Sequence, residues 1–210
     1  MRLGIYGGSF DPVHLGHLLL AESCREQCQL DEVWFLPAYR PPHKRDVTLA
    51  APRHRLEMLE LAVLGHAAFR VCDYEVAKEE ISFTVETLRH FRRERPGDSL
   101  FFLLGADALT DFPTWRAPQE IAQLATLVSV RRSGSPEPDF TKLADAVGDE
   151  ATQRIVAHQV IMPRIDLSSS ELRERQATGK SLRYRTPRAV EQYIQEWGLY
   201  RGSELGSAPT

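Results

Sequence analysis

Gly7-Gly8-Ser9-Phe10-Asp11-Pro12-Val13-His14-Leu15-Gly16-His17 is the stretch whose reading decides the fold. It follows a short apolar run, Leu3-Gly4-Ile5-Tyr6, and opens an amphipathic segment that continues to Cys28. A glycine turn between a first strand and a first helix is where an open α/β sheet binds nucleotides. The stretch is neither a Walker A loop nor a G-x-G-x-x-G turn, which excludes the two commonest phosphate loops. Gly7 and Gly8 predict a tight turn that approaches a ligand with no Cβ in the way. Asp11-Pro12 predicts a helix start, with Asp11 as N-cap and Pro12 in the first helical position. His14 and His17 then lie three residues apart on one helix face, and Gly16 leaves that face open to a close neighbour. A lone histidine there would read as a solvated or capping residue. Two imidazoles beside a positive helix end instead make a site for a polyanion.

Outward from this turn, short apolar runs alternate with longer amphipathic ones. Glu32–Leu36, Phe69–Val71, Leu100–Leu104, Thr126–Val130 and Gln159–Met162 read as further strands, several of them apolar on both faces. Helical periodicity covers Pro12–Cys28, Pro52–Leu64, Thr84–Arg93, Pro118–Leu124 and Leu143–Val147. Two more helices, near Ser169–Gln176 and Pro187–Trp197, close the chain. This β-α-β-α order predicts an α/β fold: a Rossmann-like doubly wound parallel sheet with helices on both faces, plus C-terminal helices. Residues 1–201 read as a single domain and 202–210 as a disordered tail. Ser133-Gly134-Ser135-Pro136-Glu137-Pro138 reads as a surface loop too short to divide the domain.

Composition narrows the class further. The chain has 210 residues, 26 basic and 29 acidic, for a net charge of −3. That balance argues against nucleic-acid coating and polybasic membrane binding, while leaving room for a local basic site. Cys24, Cys28 and Cys72 have no disulfide-scaffold spacing and lack a matched ligand set for zinc, so small buried thiols in a reducing cytoplasm are expected. No apolar run is long enough to span a membrane. Pro52-Arg53-His54-Arg55 reads as a polar helix face.

GGSFDPVHLGH resembles the signature of the nucleotidyltransferases with an H-x-G-H motif, in wording closest to bacterial nicotinate-nucleotide adenylyltransferases. The likeness runs from Arg2 to about Tyr200. Pro41-Pro42-His43-Lys44, Ser82-Phe83-Thr84-Val85-Glu86-Thr87, Gly105-Ala106-Asp107-Ala108-Leu109 and Phe112-Pro113-Thr114-Trp115 also match. Leu167-Ser168-Ser169-Ser170-Glu171-Leu172-Arg173 resembles the family's second signature, I-S-S-T-x-x-R, with Leu167 for Ile and Ser170 for Thr. Both departures keep the chemistry of their positions.

The resemblance implies adenylyl transfer from ATP to nicotinate mononucleotide, giving the deamido dinucleotide and pyrophosphate in NAD biosynthesis. It implies catalytic roles for His14, His17 and Arg173. It assigns ATP contacts to Gly7, Gly8, Ser9, Phe10, His43, Lys44, Gly105, Asp107, Ser168 and Ser169. Thr84 and Trp115 would hold the nicotinate mononucleotide. Arg132, at the end of a strand on the crevice side, is placed with them as a phosphate contact. Each also has a plainer reading. Ser168 and Glu171 have the spacing of a capping box, Asp107 of a helix cap, and Phe112 with Trp115 of a core aromatic pair. A capped helix start still offers free N–H groups to phosphate, so the first of these does not compete with function.

The positive charge for two polyanions is then local, in His14, His17, His43, Lys44, Arg132 and Arg173. Magnesium is expected on the phosphates, since no compact carboxylate cluster offers a cage. Two other functions fit the first motif: a sister enzyme using nicotinamide mononucleotide or phosphopantetheine, and a nucleotide-binding regulator without catalysis. The FPTWR segment and the chain length speak against phosphopantetheine, and the intact histidines and Arg173 against the regulator. ATP and nicotinate mononucleotide are the expected partners, with no nucleic acid or membrane. The sequence leaves a homo-oligomer open.

Overall fold

A computed structural model describes residues 1–42, 49–134 and 140–201. Six strands form one sheet: β1 (Arg2–Gly8), β2 (Glu32–Pro37), β3 (Phe69–Val71), β4 (Ser99–Gly105), β5 (Thr126–Arg132) and β6 (Gln159–Met162). Their order is β3-β2-β1-β4-β5-β6 and every pairing is parallel. The connections leave β1 in opposite directions, so the crevice opens between the carboxyl ends of β1 and β4. The doubly wound fold expected from the strand order is the one observed.

Alternation within the strands builds two cores. In β4, Phe101 and Leu103 face one side, while Leu100, Phe102 and Leu104 face the other. The first side is covered by α1 (Leu15–Gln27), α2 (Pro52–Val63), α9 (Ser169–Ala177) and α10 (Arg188–Glu196). The second is covered by α4 (Thr84–Glu94), α5 (Ala106–Asp111), α6 (Pro118–Leu124), α7 (Thr141–Val147) and α8 (Asp149–Ala157). A one-turn helix, α3 (Tyr74–Ala77), precedes α4. The sequence reading did not include α3, α5 or α8. The first two are too short to display a helical period, and α8 is separated from α7 only by Gly148.

Three local expectations are corrected. Gly7 and Gly8 are not a turn. They are the last residues of β1, in register with Leu36 and Pro37. The left-handed turn residue is Phe10, at φ 46°, and a Cβ on Gly8 would come within 3.0 Å of its ring. Asp11 is not an N-cap either. Its side chain is wholly buried, and its Oδ1 accepts from Tyr200 Oη at 2.5 Å and from the Ala50 N–H at 3.2 Å rather than from the start of a helix. The helix begins at Leu15, with His14 as N-cap. Last, Arg53–Arg55 is not a polar face, because Arg55 is fully buried and His54 bonds Tyr193 Oη at 2.7 Å. Residues 135–139 of the predicted surface loop and the 202–210 tail lie outside the described residues.

Candidate active site

The segment between β1 and α1 is held by its carbonyls. Gly8 O accepts from the Ala38 N–H (2.9 Å), Ser9 O from Arg55 Nη1 (3.0 Å) and Asp11 O from Arg173 Nη1 (2.7 Å). Pro12 O accepts from Ser169 Oγ (2.9 Å), Val13 O from Thr186 Oγ1 (2.8 Å) and His14 O from the His17 N–H (2.9 Å). The Leu15 N–H adds a bond to Arg185 O at 2.9 Å. Directed at protein donors, these carbonyls do not oppose an anion at the segment's edge.

His14 and His17 stack with ring centroids 3.7 Å apart and planes tilted by 22°. The His14 N–H donates to His17 Nδ1 at 3.2 Å, which fixes the second ring against the helix start. The opening at Gly16 serves His14 itself, since a Cβ there would lie 3.0 Å from His14 Nδ1. Burial, reinforced by the charge of Arg132, pulls the His14 pKa down to about 4. His14 is therefore neutral near pH 7 in the free protein. The sequence reading counted it as positive charge, and burial overturns that.

The other assigned residues separate into two groups. Ser168 caps α9 by accepting from the Glu171 N–H at 3.1 Å, and Arg173 lies on the same helix 3.8 Å from the Asp11 carboxylate. Both stand beside the histidine segment. Arg132 joins this group rather than Thr84 and Trp115: it sits on the α1 side of β5 with Val128 and Val130, acts on His14 electrostatically, and pairs with Asp166 at 3.2 Å. Phe10 is buried among Tyr6, His17 and Phe35, so only its backbone faces a ligand.

On the opposite side of the β1 and β4 ends lies a cleft of about 590 Å³. Gly7, Gly8, Phe83, Thr84, Phe102 and Trp115 line it. Trp115 is half-buried, with one edge against Phe112 (5.4 Å) and Phe102 (6.1 Å), so it belongs to the core and the cleft at once. Thr84 is the first residue of α4. Gly105 ends β4, and Asp107 is exposed in the first turn of α5, where Gly105 rather than Asp107 is the N-cap. His43 and Lys44 lie outside the described residues.

The structure adds residues the sequence reading missed. Arg55, Thr186 and Tyr200 brace the histidine segment, and Glu75 is buried behind the cleft, accepting from Thr87 Oγ1 at 2.6 Å. Burial pushes the Glu75 carboxyl above its usual range. A signal for Arg55 was present: it shares the i, i+3, i+4 stripe of Met58 and Leu59. Tyr200 carried none.

The chain matches known proteins over nearly their full length. The cytidylyltransferase-like family model matches residues 5–175. A probable nicotinate-nucleotide adenylyltransferase of Thermus thermophilus is 45% identical over 201 residues, covering 96% of this chain and all of the relative. One from Rhodopirellula baltica is 40% identical over 199 residues, covering 95% and 93%. This chain belongs to the nicotinate-nucleotide adenylyltransferases. It is a nucleotidyltransferase of NAD biosynthesis. A nicotinic acid mononucleotide adenylyltransferase of Plasmodium falciparum, solved with NaAD, superposes with a TM-score of 0.73 at 19% identity, covering 95% of this chain and 97% of its own. That likeness is one of fold. Among the described residues, no helix is long and apolar enough to cross a membrane.

Proposed function

We propose that the histidine segment and the start of α9 bind the ATP phosphates, while the cleft at Thr84 and Trp115 takes nicotinate mononucleotide. The supporting observation is that the carbonyls of Gly8, Ser9, Asp11, Pro12, Val13 and His14 are taken up by protein donors beside Arg173 and the capped start of α9. Ser169 spends its hydroxyl on Pro12, so its contact with phosphate is through the backbone N–H. Ser168 and Ser9 contribute from the same edge. Gly105 gives backbone access to the adenosine, and the exposed Asp107 meets its ribose.

A phosphate oxygen of the mononucleotide attacks the α-phosphorus of ATP in line. The bond to the bridging oxygen breaks as the new P–O bond forms, and pyrophosphate leaves with that electron pair. The nucleophile is already an anion, so no general base is needed. The work lies in placing two polyanions together and stabilising the charge on the moving group. Arg173 and Arg132 supply donors and charge, and His17 and neutral His14 supply donors. An arriving triphosphate favours protonated His14, so nucleotide binding takes up a proton below neutral pH. His43 and Lys44 are assigned to the phosphates on the resemblance alone.

Magnesium enters with the triphosphate. Among the described residues there is no group of three or more His, Cys, Asp or Glu that could hold a metal ion, and the Asp11 carboxylate is wholly buried with Arg173 3.8 Å from its Oδ2. The ion would neutralise phosphate charge during transfer. The cytoplasm, where both substrates occur, is the proposed compartment. Pyrophosphate release, measured with ATP and each acceptor in turn, tests the reading. Nicotinate mononucleotide should turn over fastest; faster turnover with nicotinamide mononucleotide or phosphopantetheine would overturn it.

A further inference from the structure

Arg55 is a charged side chain with no exposed surface, and it touches neither wall's expected ligand. Its guanidinium donates four bonds, all to backbone carbonyls. Nε reaches Ala50 O (3.0 Å), Nη1 reaches Ser9 O (3.0 Å) and Ala38 O (2.7 Å), and Nη2 reaches Tyr39 O (3.0 Å). Burial draws its pKa down and the nearby Asp11 carboxylate opposes that, so the cation keeps a counter-charge inside the protein. A buried cation with so many bonds is costly to place unless the bonds matter to something.

The bonds connect the two walls. Ser9 belongs to the histidine segment and also reaches the cleft edge, where Ala38 lines it too and Tyr39 follows. From Tyr39 the connection continues: its N–H donates to Ser82 Oγ at 3.0 Å, and the Ser82 N–H donates to Arg40 O at 3.1 Å. Ser82 stands two residues before Thr84, the first residue of α4. The path from Ser9 to Thr84 thus runs through one planar fork and one hydroxyl.

We infer that Arg55 is a positioning residue for adenylyl transfer: by gathering the Ser9, Ala38 and Tyr39 carbonyls, it sets the distance between the ATP wall and the acceptor cleft. The inference rests on the assignment of the two nucleotides to those walls. Without Arg55 the histidine segment loses its bond at Ser9 but keeps those from Ser169, Arg173 and Thr186, so each nucleotide should still bind when offered alone. What changes is their mutual alignment, and an in-line displacement is sensitive to that. A shift of about 1 Å can cost roughly a hundredfold in rate.

The test separates binding from turnover. Arg55→Lys keeps the charge and loses the planar fork. We expect kcat to fall about 30- to 100-fold, with the Kd for a non-hydrolysable ATP analogue and the Kd for nicotinate mononucleotide, each measured alone, within about threefold of wild type. Ser82→Ala, further along the same path, should show the same split with a smaller kcat loss of about three- to tenfold. It decides the matter alone if the Arg55 variant does not fold. A kcat within about twofold of wild type in the folded variants overturns the inference. So does a Kd that weakens as much as kcat falls, since that is what simple loosening of the fold produces. Wild-type protein that binds both nucleotides but makes no dinucleotide would instead overturn the function on which the inference stands.

Discussion

The two walls of the crevice are built in opposite ways. The proposed ATP wall is polar, largely buried and held by hydrogen bonds that reach far along the chain: Ser169, Arg173 and Thr186 bind carbonyls 157, 162 and 173 residues earlier. The cleft proposed for the acceptor is lined by Phe83, Phe102 and Trp115 and drawn from the middle of the chain, where neighbouring elements pack on one core. The first wall positions charge, which demands fixed dipoles. The second offers shape and apolar area, which packing alone supplies. A site that joins two similar molecules can therefore rely on two different kinds of order.

Substitutions can strain this contrast. The largest effect is expected on the polar wall. His17→Ala should lower kcat by about two to four orders of magnitude while circular dichroism stays that of the folded protein, as for the loss of a transition-state donor. Near-normal turnover would remove His17 from the chemistry. Next comes the acid limb of stability. His14 titrates near 6.5 when unfolded and near 4 when folded, so the unfolded chain alone takes up a proton between those values. Stability should drop as pH falls from about 6.5 to 4, by on the order of 3 kcal/mol. His14→Asn should flatten that part of the curve in urea titrations; an unchanged slope would mean that His14 is not held neutral.

The cleft predicts a smaller effect of a different kind. Trp115→Ala should raise the KM for nicotinate mononucleotide roughly tenfold and that for ATP by less than about threefold. Equal changes in both would make Trp115 a core residue only and weaken the contrast between walls. The smallest effect is structural. Ser168→Ala removes the cap of α9 and should cost about 1 kcal/mol, read as a melting shift of about 2 to 4 °C.

The same contrast explains what the sequence could disclose. The strands were legible because each is a short apolar run between turn signals, and the order of such runs dictated the sheet. The histidines were legible as a pair, and Ser168 with Glu171 as a cap, because both depend on local spacing. The route of the chain through Asp11 was not. Asp-Pro reads locally as a helix start, but Tyr200 and Ala50 claim that carboxylate from afar and leave the cap to His14. The face of Arg132 was not legible for a related reason: an adjacent pair at a strand end does not say which arginine faces which core. Trp115 could be read as core or as ligand contact, and its position serves both. Long-range polar bonds escape a local reading, whereas periodic packing does not.

The clasp formed by the late helices has a consequence for biosynthesis. The whole sheet is encoded by Met162, yet the donors for Asp11, Pro12 and Val13 come from Arg173, Ser169 and Thr186, and Tyr200 arrives later still. At ordinary translation rates a nascent chain spends a few seconds with its Rossmann-like core encoded but its phosphate edge unassembled. On the proposed assignment, a polypeptide released before Ser169 lacks every late donor that orders the phosphate edge.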